Sequence, residues 1–318
     1  KDKNGKTVKA TAHADRNGFF YVVDRKDGKL QNAFPFVDGI TWASHIDLKT
    51  GRPVENEGQR PPKPKPGESK GEVVEVSPPF LGGKNWMPMS YSERTGNFYV
   101  PSNEWGMDIW NEGVAYKKGA AYLGAGFTIK PLNEDFIGVL RAIDPKTGKE
   151  VWQYDARLPE GILPCCDVVN RGGAIFGDNF YFGTLDARIV ALDLKTGDVK
   201  WNKKIADYKE GYSYTAAPLI VNGLVITGNS GGEFGVRGSL TAYNLKDGSV
   251  AWRAYSTGPD EEMLFDPEKT TELGKPVGKD SSLKTWEGDQ WKIGGGTTWG
   301  WFSYDPETNL VYYGSGNP

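Results

Sequence analysis

A motif that recurs about every 50 residues constrains the fold of this chain more than any other feature. It places an alanine, an aspartate or asparagine, a glycine and a tryptophan in fixed order, with ten residues from the alanine to the tryptophan. The three full copies begin at Ala142, Ala191 and Ala242, so successive copies lie 49 and 51 residues apart. Weaker echoes without the tryptophan begin at Val23, Ser92 and Tyr304. Such a period is typical of a repeat architecture.

Each copy predicts a strand, a tight turn and a second strand. The acidic side chain caps the turn, the glycine supplies a positive φ, and the tryptophan lies on the strand that follows. The aromatic ring of a tryptophan at a fixed position in each repeat can dock on the neighbouring repeat. A period of about 50 residues suits a four-stranded propeller blade. Asn222 and Gly223, between two apolar runs, predict a hairpin turn. We therefore predict an all-β chain, a β-propeller with tryptophan-docking motifs, forming a single domain over residues 1–318. A β-helix or a string of small β domains is the alternative.

Two stretches do not follow the repeat. Residues 58–72 are rich in Pro and Lys and lack large apolar side chains, which predicts an exposed, extended loop. Residues 256–291 are polar and irregular, so we interpret them as a long insertion between blades. Neither stretch has the character of a boundary between independent domains.

Charge and composition exclude several functions. A net charge of −3 lacks the excess of basic residues that nucleic-acid binding requires, which argues against nucleic acid as a partner. No window approaches the roughly 18 apolar residues of a membrane span, and we find no signal peptide. The two histidines are too few for a His-rich zinc site, and they disfavour a His-dependent triad.

Cys165 and Cys166 are the only cysteines, and they are adjacent. Their Cα atoms lie about 3.8 Å apart across a trans peptide, below the usual range for a disulfide. A bond between them would be strained and rigid, which favours a functional site. Two reduced, buried core cysteines are the alternative. The nearby Arg171 and its glycines favour the functional interpretation.

Two glycine-rich segments could hold a ligand. Residues 230–238 offer backbone amides, the Ser230 hydroxyl and the Glu233 carboxylate, but they match no phosphate-loop spacing. Residues 294–301 could bring the backbone close to a flat ligand on which Trp299 would stack. Asn317 adds an amide oxygen, and with Glu233 it suits Ca²⁺ or a lanthanide better than zinc or copper. A solvated glycine turn and a packed blade edge are the alternatives.

With these motifs in place, the sequence resembles the pyrroloquinoline quinone (PQQ) dependent alcohol dehydrogenases. The resemblance rests on the runs around Cys165, on residues 230–238 and 294–318, and on the three repeats. Residues 90–110 resemble the ethanol type rather than the methanol type. The resemblance implies an eight-bladed propeller in the periplasm that oxidises primary alcohols to aldehydes. It also implies electron transfer to a cytochrome c and allows a homodimer.

The resemblance also implies a role for each site residue. Cys165 and Cys166 would form a vicinal disulfide over one face of PQQ, with Trp299 on the other face. The cofactor's carboxylates and carbonyls would be bound by Arg171, Thr215, Ser230, Gly231, Gly232 and Thr297. Arg16 would donate to the quinone oxygens, and Asn103 would contact the cofactor from another blade. Glu233 and Asn317 would hold Ca²⁺ or a lanthanide.

The chain departs from the family in its order. Residues 1–152 resemble the family's C-terminal half and residues 153–318 its N-terminal half, and only part of a full ring is accounted for. A rearranged or engineered chain, an incomplete sequence joined across gaps, and a natural permuted fragment all fit. We favour the second, because an open half-ring would expose strand edges. The family's catalytic base belongs to an Asp-Glu-Trp-Asp run that this sequence lacks, so we assign no catalytic residue.

Two other functions compete with alcohol oxidation. Similar propellers serve as non-catalytic assembly scaffolds in the bacterial envelope, but a scaffold has no need for the cysteine pair, the glycine loop and Trp299 together. A sugar-binding or glycan-cleaving propeller would use exposed tryptophans and a pair of carboxylates, and no such pair stands out in the sequence.

Overall fold

A computed structural model describes residues 7–85, 87–120, 122–132, 135–162, 164 and 169–316. These residues confirm the all-β prediction, since they form 24 strands and a single four-residue α-helix, α1 (Asp260–Met263). The chain divides into two compact units, Lys1–Asp155 and Ala156–Pro318. No helix in the described ranges is both long and apolar enough to cross a membrane.

The second unit contains two four-stranded antiparallel sheets whose strands follow chain order, as in propeller blades. The first sheet comprises β13 (Ala174–Phe176), β14 (Asn179–Gly183), β15 (Arg188–Asp193) and β16 (Val199–Lys204). The second comprises β17 (Leu219–Val221), β18 (Leu224–Gly228), β19 (Ser239–Asn244) and β20 (Val250–Tyr255). Asn222 and Gly223 have φ values of 48° and 80° between β17 and β18, which confirms the hairpin predicted from sequence.

The rest of the second unit is less regular. Residues 256–291 contain α1 and the short hairpin of β21 (Thr271–Glu272) and β22 (Lys275–Pro276), which agrees with the predicted insertion. A final hairpin pairs β23 (Phe302–Asp305) with β24 (Leu310–Tyr313). Its side chains Phe302, Tyr304 and Val311 pack against the β17–β20 sheet.

The described residues of the first unit form one four-stranded sheet, two three-stranded sheets and one two-stranded hairpin. Its early strands are β1 (Ala10–Ala14), β2 (Phe19–Asp24), β3 (Leu30–Pro35), β4 (Ala43–Ile46), β5 (Pro53–Glu55) and β6 (Val74–Val76). Its later strands are β7 (Ser90–Tyr91), β8 (Phe98–Asn103), β9 (Trp105–Asn111), β10 (Ala125–Pro131), β11 (Gly138–Ile143) and β12 (Glu150–Tyr154). The sheets run β1-β2-β3, β4-β5, β10-β9-β6 and β12-β11-β8-β7. Residues 58–72 are mostly exposed and irregular, as predicted.

The repeated turn has the geometry that its sequence predicts. The N–H of Gly197 donates to the carbonyl of Asp193 at 2.9 Å, and the N–H of Lys195 donates to the Asp193 carboxylate at 2.8 Å. Gly197 has a φ of 77°, which only glycine adopts without strain. A bulge then brings Ala191 opposite Trp201. The same bulge and the same alanine–tryptophan pairing occur in the other two full copies.

The tryptophan of one repeat docks on the turn of the next within the second unit. Trp201 Nε1 donates to the carbonyl oxygen of Leu245 at 3.0 Å, and only 8 % of Trp201 is exposed. A Cβ atom at Gly248 would lie 2.7 Å from the Trp201 ring, so the turn glycine is needed for the ring to fit. This contact confirms the predicted docking role for Trp201.

The β1-β2-β3 sheet makes an equivalent contact without tryptophan. Asn32 stands opposite Val22 after the same kind of bulge, in the tryptophan's position, and its Nδ2 donates to the Lys146 carbonyl at 3.4 Å. Phe34 supplies the ring, since a Cβ atom at Gly148 would lie 2.5 Å from it. Two residues therefore share the hydrogen bond and the ring packing that Trp201 provides alone.

Candidate functional site

Three polar residues of the second unit form a continuous hydrogen-bonded series. Arg171 lies in the loop before β13, Thr215 precedes β17, and Ser230 follows β18. Arg171 Nη1 donates to Thr215 Oγ1 at 2.6 Å, and Thr215 Oγ1 lies 2.6 Å from Ser230 Oγ. Arginine can only donate, so Thr215 Oγ1 is the acceptor in the first bond, whereas in the second bond either hydroxyl can be the donor. When Thr215 is the donor, the Ser230 hydroxyl proton is available to an acceptor outside the pair.

Trp299 lies beside this series. The guanidinium carbon of Arg171 is 5.1 Å from the centre of the Trp299 ring, within the range of a cation–π contact. Burial lowers the pKa of Arg171 from its ordinary value, because the low-dielectric surroundings disfavour its charge. Trp299 itself is 39 % exposed, so part of its ring surface is accessible. A desolvated cation and an accessible indole therefore stand side by side.

Thr297 is fully buried two residues before Trp299. Its Oγ1 donates to the carbonyl of Gly316 at 3.1 Å, and the N–H of Gly316 donates back to the Thr297 carbonyl at 2.9 Å. A Cβ atom at Gly316 would lie 3.5 Å from Trp299 Nε1. The segment just before Asn317 is thereby fixed next to the Trp299 ring, although Asn317 itself lies outside the described residues.

The glycine loop of residues 230–238 forms a tight turn that presents Glu233 to solvent. Gly231 has a φ of 113°, and its carbonyl accepts the N–H groups of Phe234 and Val236 at 2.9 and 3.3 Å. A Cβ atom at Gly231 would lie 2.1 Å from the Gly211 carbonyl, so no other residue fits there. Within the described part of the chain, no three His, Cys, Asp or Glu side chains are grouped as for a metal ion.

In the first unit, the structure brings Arg16 and Asn103 to the same turn. The N–H of Gly83 donates to the Arg16 carbonyl at 3.0 Å, and the N–H of Asn103 donates to the Gly83 carbonyl at 2.7 Å. A Cβ atom at Gly82 would lie 2.3 Å from Arg16 Cγ, so this glycine is needed for the arginine to pack.

Sequence reasoning missed Asn85, whose Oδ1 accepts a hydrogen bond from Arg16 Nη2 at 2.6 Å. The preceding residue, Lys84, is 4 % exposed and donates to the Asn85 carbonyl at 3.0 Å. Burial lowers the pKa of Lys84. The signal for this cluster in the sequence is the glycine pair directly before two polar residues. Cys165 and Cys166 lie outside the described residues.

Comparison with known proteins identifies the family. The PQQ family model, for the β-propeller domain of glucose, ethanol and alcohol dehydrogenases, matches residues 135–318. The chain belongs to this family.

Named relatives of this quinoprotein family are close in sequence. A quinoprotein ethanol dehydrogenase of Pseudomonas putida is 64 % identical over 203 residues, which is 63 % of this chain and 31 % of the relative. The quinoprotein alcohol dehydrogenase PedH of the same species is 50 % identical over 258 residues, covering 78 % of this chain and 40 % of that protein. A lanthanide-dependent methanol dehydrogenase of Methylorubrum extorquens is 54 % identical over 186 residues, or 58 % and 31 % of the two chains.

A solved structure shares the fold over the aligned part of the chain. A europium-containing methanol dehydrogenase superposes with a TM-score of 0.56 and 38 % identity, over 70 % of this chain and 34 % of that chain. This chain spans less than half the length of each of these relatives.

The donor set of the second unit fits the family's cofactor. PQQ is a flat molecule with three carboxylates, and such an anion needs cations and hydroxyl donors around its rim and an apolar surface for its ring. Arg171 supplies the cation, the Ser230 hydroxyl supplies a donor, and Trp299 supplies accessible ring surface. Nothing in this donor set opposes an anionic, planar ligand.

Proposed function

We propose that this chain is part of a periplasmic quinoprotein dehydrogenase that oxidises primary alcohols such as ethanol and passes the electrons to a cytochrome c. The single observation that carries this proposal is the Arg171–Thr215–Ser230 series beside Trp299. Family membership over residues 135–318 and the names of the relatives support the class of reaction.

In this proposal, each group of the second unit binds or orients the cofactor. Arg171 neutralises a carboxylate, and the hydrogen bond to Thr215 holds its guanidinium in one orientation. We propose that the Thr215 hydroxyl donates to Ser230, so that the Ser230 hydroxyl donates in turn to a cofactor oxygen. Trp299 stacks on one face of the ring system, and the vicinal disulfide of Cys165 and Cys166 is proposed to cover the other.

Further groups are proposed to act at the reactive end. Gly231, Gly232 and Thr297 contact the rim of PQQ, and Arg16 and Asn103 contact its quinone oxygens and ring. Glu233 and Asn317 hold Ca²⁺ or a lanthanide, because their oxygens suit a hard cation. When bound, PQQ supplies the hydride acceptor and the metal polarises its reactive carbonyl. Asn85 is proposed to orient Arg16 through their 2.6 Å hydrogen bond.

The proposal is tested by titrating the chain with PQQ in the presence of Ca²⁺ or La³⁺ and following the quenching of tryptophan fluorescence. We expect saturable binding that Arg171→Ala weakens by about 2 to 4 kcal/mol, because a charge-assisted contact to a carboxylate is lost. Thr215→Val should weaken it by less, since the arginine keeps its charge.

Thr227→Val is the matched control, because Thr227 is equally buried but lies in strand β18, outside the site. It should bind PQQ as the unsubstituted chain does. A folded chain that shows no saturable binding of PQQ with either metal would contradict the proposal and favour a non-catalytic scaffold.

A further inference from the structure

Asn229 connects strand β18 to the glycine loop, and it is fully buried. Its Oδ1 accepts hydrogen bonds from the Ser239 N–H at 2.7 Å and the Ser239 hydroxyl at 3.0 Å. Its Nδ2 donates to the carbonyls of Arg237 and Ser230, at 3.3 and 3.5 Å. A backbone N–H can only donate and a carbonyl can only accept, so these partners fix the orientation of the amide.

These bonds join the two ends of the loop that presents Glu233. Ser230 begins the loop, while Arg237 and Ser239 flank its last residue. The backbone pairing of β18 with β19 ends at Gly228 and Leu240. Beyond that point, the Asn229 side chain joins the two ends of the loop. Without that side chain, the loop would still be held by the turn within it, by backbone contacts to neighbouring segments, and by the side-chain bonds of Ser230 and Arg237 to those segments.

The same residue also connects the loop to the segment that carries Trp299. The Thr298 N–H donates to the Asn229 carbonyl at 3.0 Å, and Thr298 Oγ1 donates to the Ser239 carbonyl at 2.7 Å. Gly228 and Thr298 are in close contact, since a Cβ atom at Gly228 would lie 1.8 Å from Thr298 Oγ1. The side chain of Asn229 thus bonds the loop that carries Glu233. Its backbone carbonyl bonds Thr298, which directly precedes Trp299.

We propose that Asn229 is a positioning residue that sets the distance between the metal-binding carboxylate of Glu233 and the stacking ring of Trp299. This inference rests on the proposed function for the roles of Glu233 and Trp299. The described hydrogen bonds of the Asn229 side chain all go to Ser230, Arg237 and Ser239, so in this proposal the side chain does not touch the cofactor. It acts by holding the groups that do.

The first test needs no ligand. Backbone amide hydrogen exchange in the whole chain, measured by mass spectrometry, should become faster in peptides from residues 230–239 and 295–299 when Asn229 is changed to alanine. Thr227→Val, two residues earlier on strand β18, should not make exchange faster in these peptides. Ser239→Ala removes one of the two donors to Asn229 and should give a smaller increase in the same peptides, which provides a second variant if Asn229→Ala does not fold.

The second test measures binding. In Asn229→Ala, the Ca²⁺ or La³⁺ concentration at half-saturation in the presence of PQQ should rise about 10- to 100-fold, the usual effect of removing a group that orients a metal ligand. In the Thr227→Val control it should stay unchanged.

The outcomes separate this inference from the proposed function. Unchanged exchange in the loop, or exchange that rises equally across the whole second unit, would overturn a positioning role. An unchanged metal titration in a chain that binds PQQ would overturn it as well. If the unsubstituted chain binds neither PQQ nor metal, the proposed function fails, and a change in exchange confined to the two segments would still support Asn229 as the residue that fixes their relative position.

Discussion

At the scale of single residues, the fully buried polar side chains differ in how well they are satisfied. Glu104 accepts hydrogen bonds from Arg141 Nη2 at 2.8 Å and from the Asp38 N–H at 3.0 Å. Burial still raises the pKa of Glu104, so desolvation outweighs the attraction of the nearby guanidinium. In the other unit Asn229 bonds through both amide atoms, whereas Thr227 Oγ1 has no partner among the described residues.

Thr227→Val should therefore stabilise the protein. A buried hydroxyl without a hydrogen-bond partner carries a desolvation cost of about 1 to 3 kcal/mol, and valine has nearly the same shape. We expect a gain of about 1 kcal/mol in the free energy of unfolding, measured by urea denaturation. Thr298→Val is the contrasting variant, because the Thr298 hydroxyl donates to the Ser239 carbonyl at 2.7 Å and its loss should destabilise. Equal effects of the two substitutions would contradict this explanation.

The sequence predicts site residues only where a recognisable motif marks them. Arg171, Thr215, Ser230 and Trp299 were predicted and do lie together. Asn85 and Asn229 were not predicted, because a hydrogen bond between residues far apart in the chain, or across a loop, leaves no periodic pattern. Only folding brings Arg16 to Asn85, which follows it by 69 positions.

At the scale of the element, the repeated turn depends on its acidic residue. Lys200 Nζ lies 2.9 Å from the Asp193 carboxylate, and the N–H groups of Lys195 and Thr196 donate to the same carboxylate. The hydrogen bond from Lys200 is the largest cause that lowers the pKa of Asp193 below its ordinary value of 3.8, followed by the bonds from the backbone. Each of these contacts favours the ionised form.

Asp193→Asn should consequently change the response to acid. A carboxyl whose pKa is lower in the folded state stabilises the protein above its unfolded value, and this stabilisation is lost as the pH falls through the folded value. We expect the variant to melt below the unsubstituted protein at neutral pH and the difference to shrink in acid, as the pH falls below the ordinary value of 3.8. Thermal melts at several pH values measure it. A difference that persists in acid would show that the turn does not depend on the charge of Asp193.

The docking contact shows how far an element can be predicted from its motif. Trp201 follows the repeat, and its contact with the next turn was predicted from the spacing. The echo after Val23 lacks a tryptophan, so nothing in its sequence indicates that Asn32 and Phe34 would divide the same task. The pattern predicts the turn and the bulge, because these depend on local residues. It does not predict which side chains fill the space between sheets.

At the scale of the whole molecule, the repeats favour one domain. The chain divides between Asp155 and Ala156 into two compact units. The family match nevertheless begins at residue 135, within the first unit, and continues to residue 318. The repeat period also continues across the division, since the copies that start at Ala142 and Ala191 lie 49 positions apart. We propose that residues 1–318 form a single propeller domain, as the sequence predicts.

A single domain of repeats should unfold cooperatively, because each repeat is stabilised by its neighbours. We expect one calorimetric transition for the whole chain. Both Trp201→Ala in the second unit and Phe34→Ala in the first should lower the midpoint temperature of this one transition. Each substitution removes a large docked ring and should cost about 3 to 5 kcal/mol. Lys209→Ala, an exposed change, is the control and should leave the transition in place. Two transitions, each lowered by only one of the ring substitutions, would contradict the single domain, since the two units would then unfold independently.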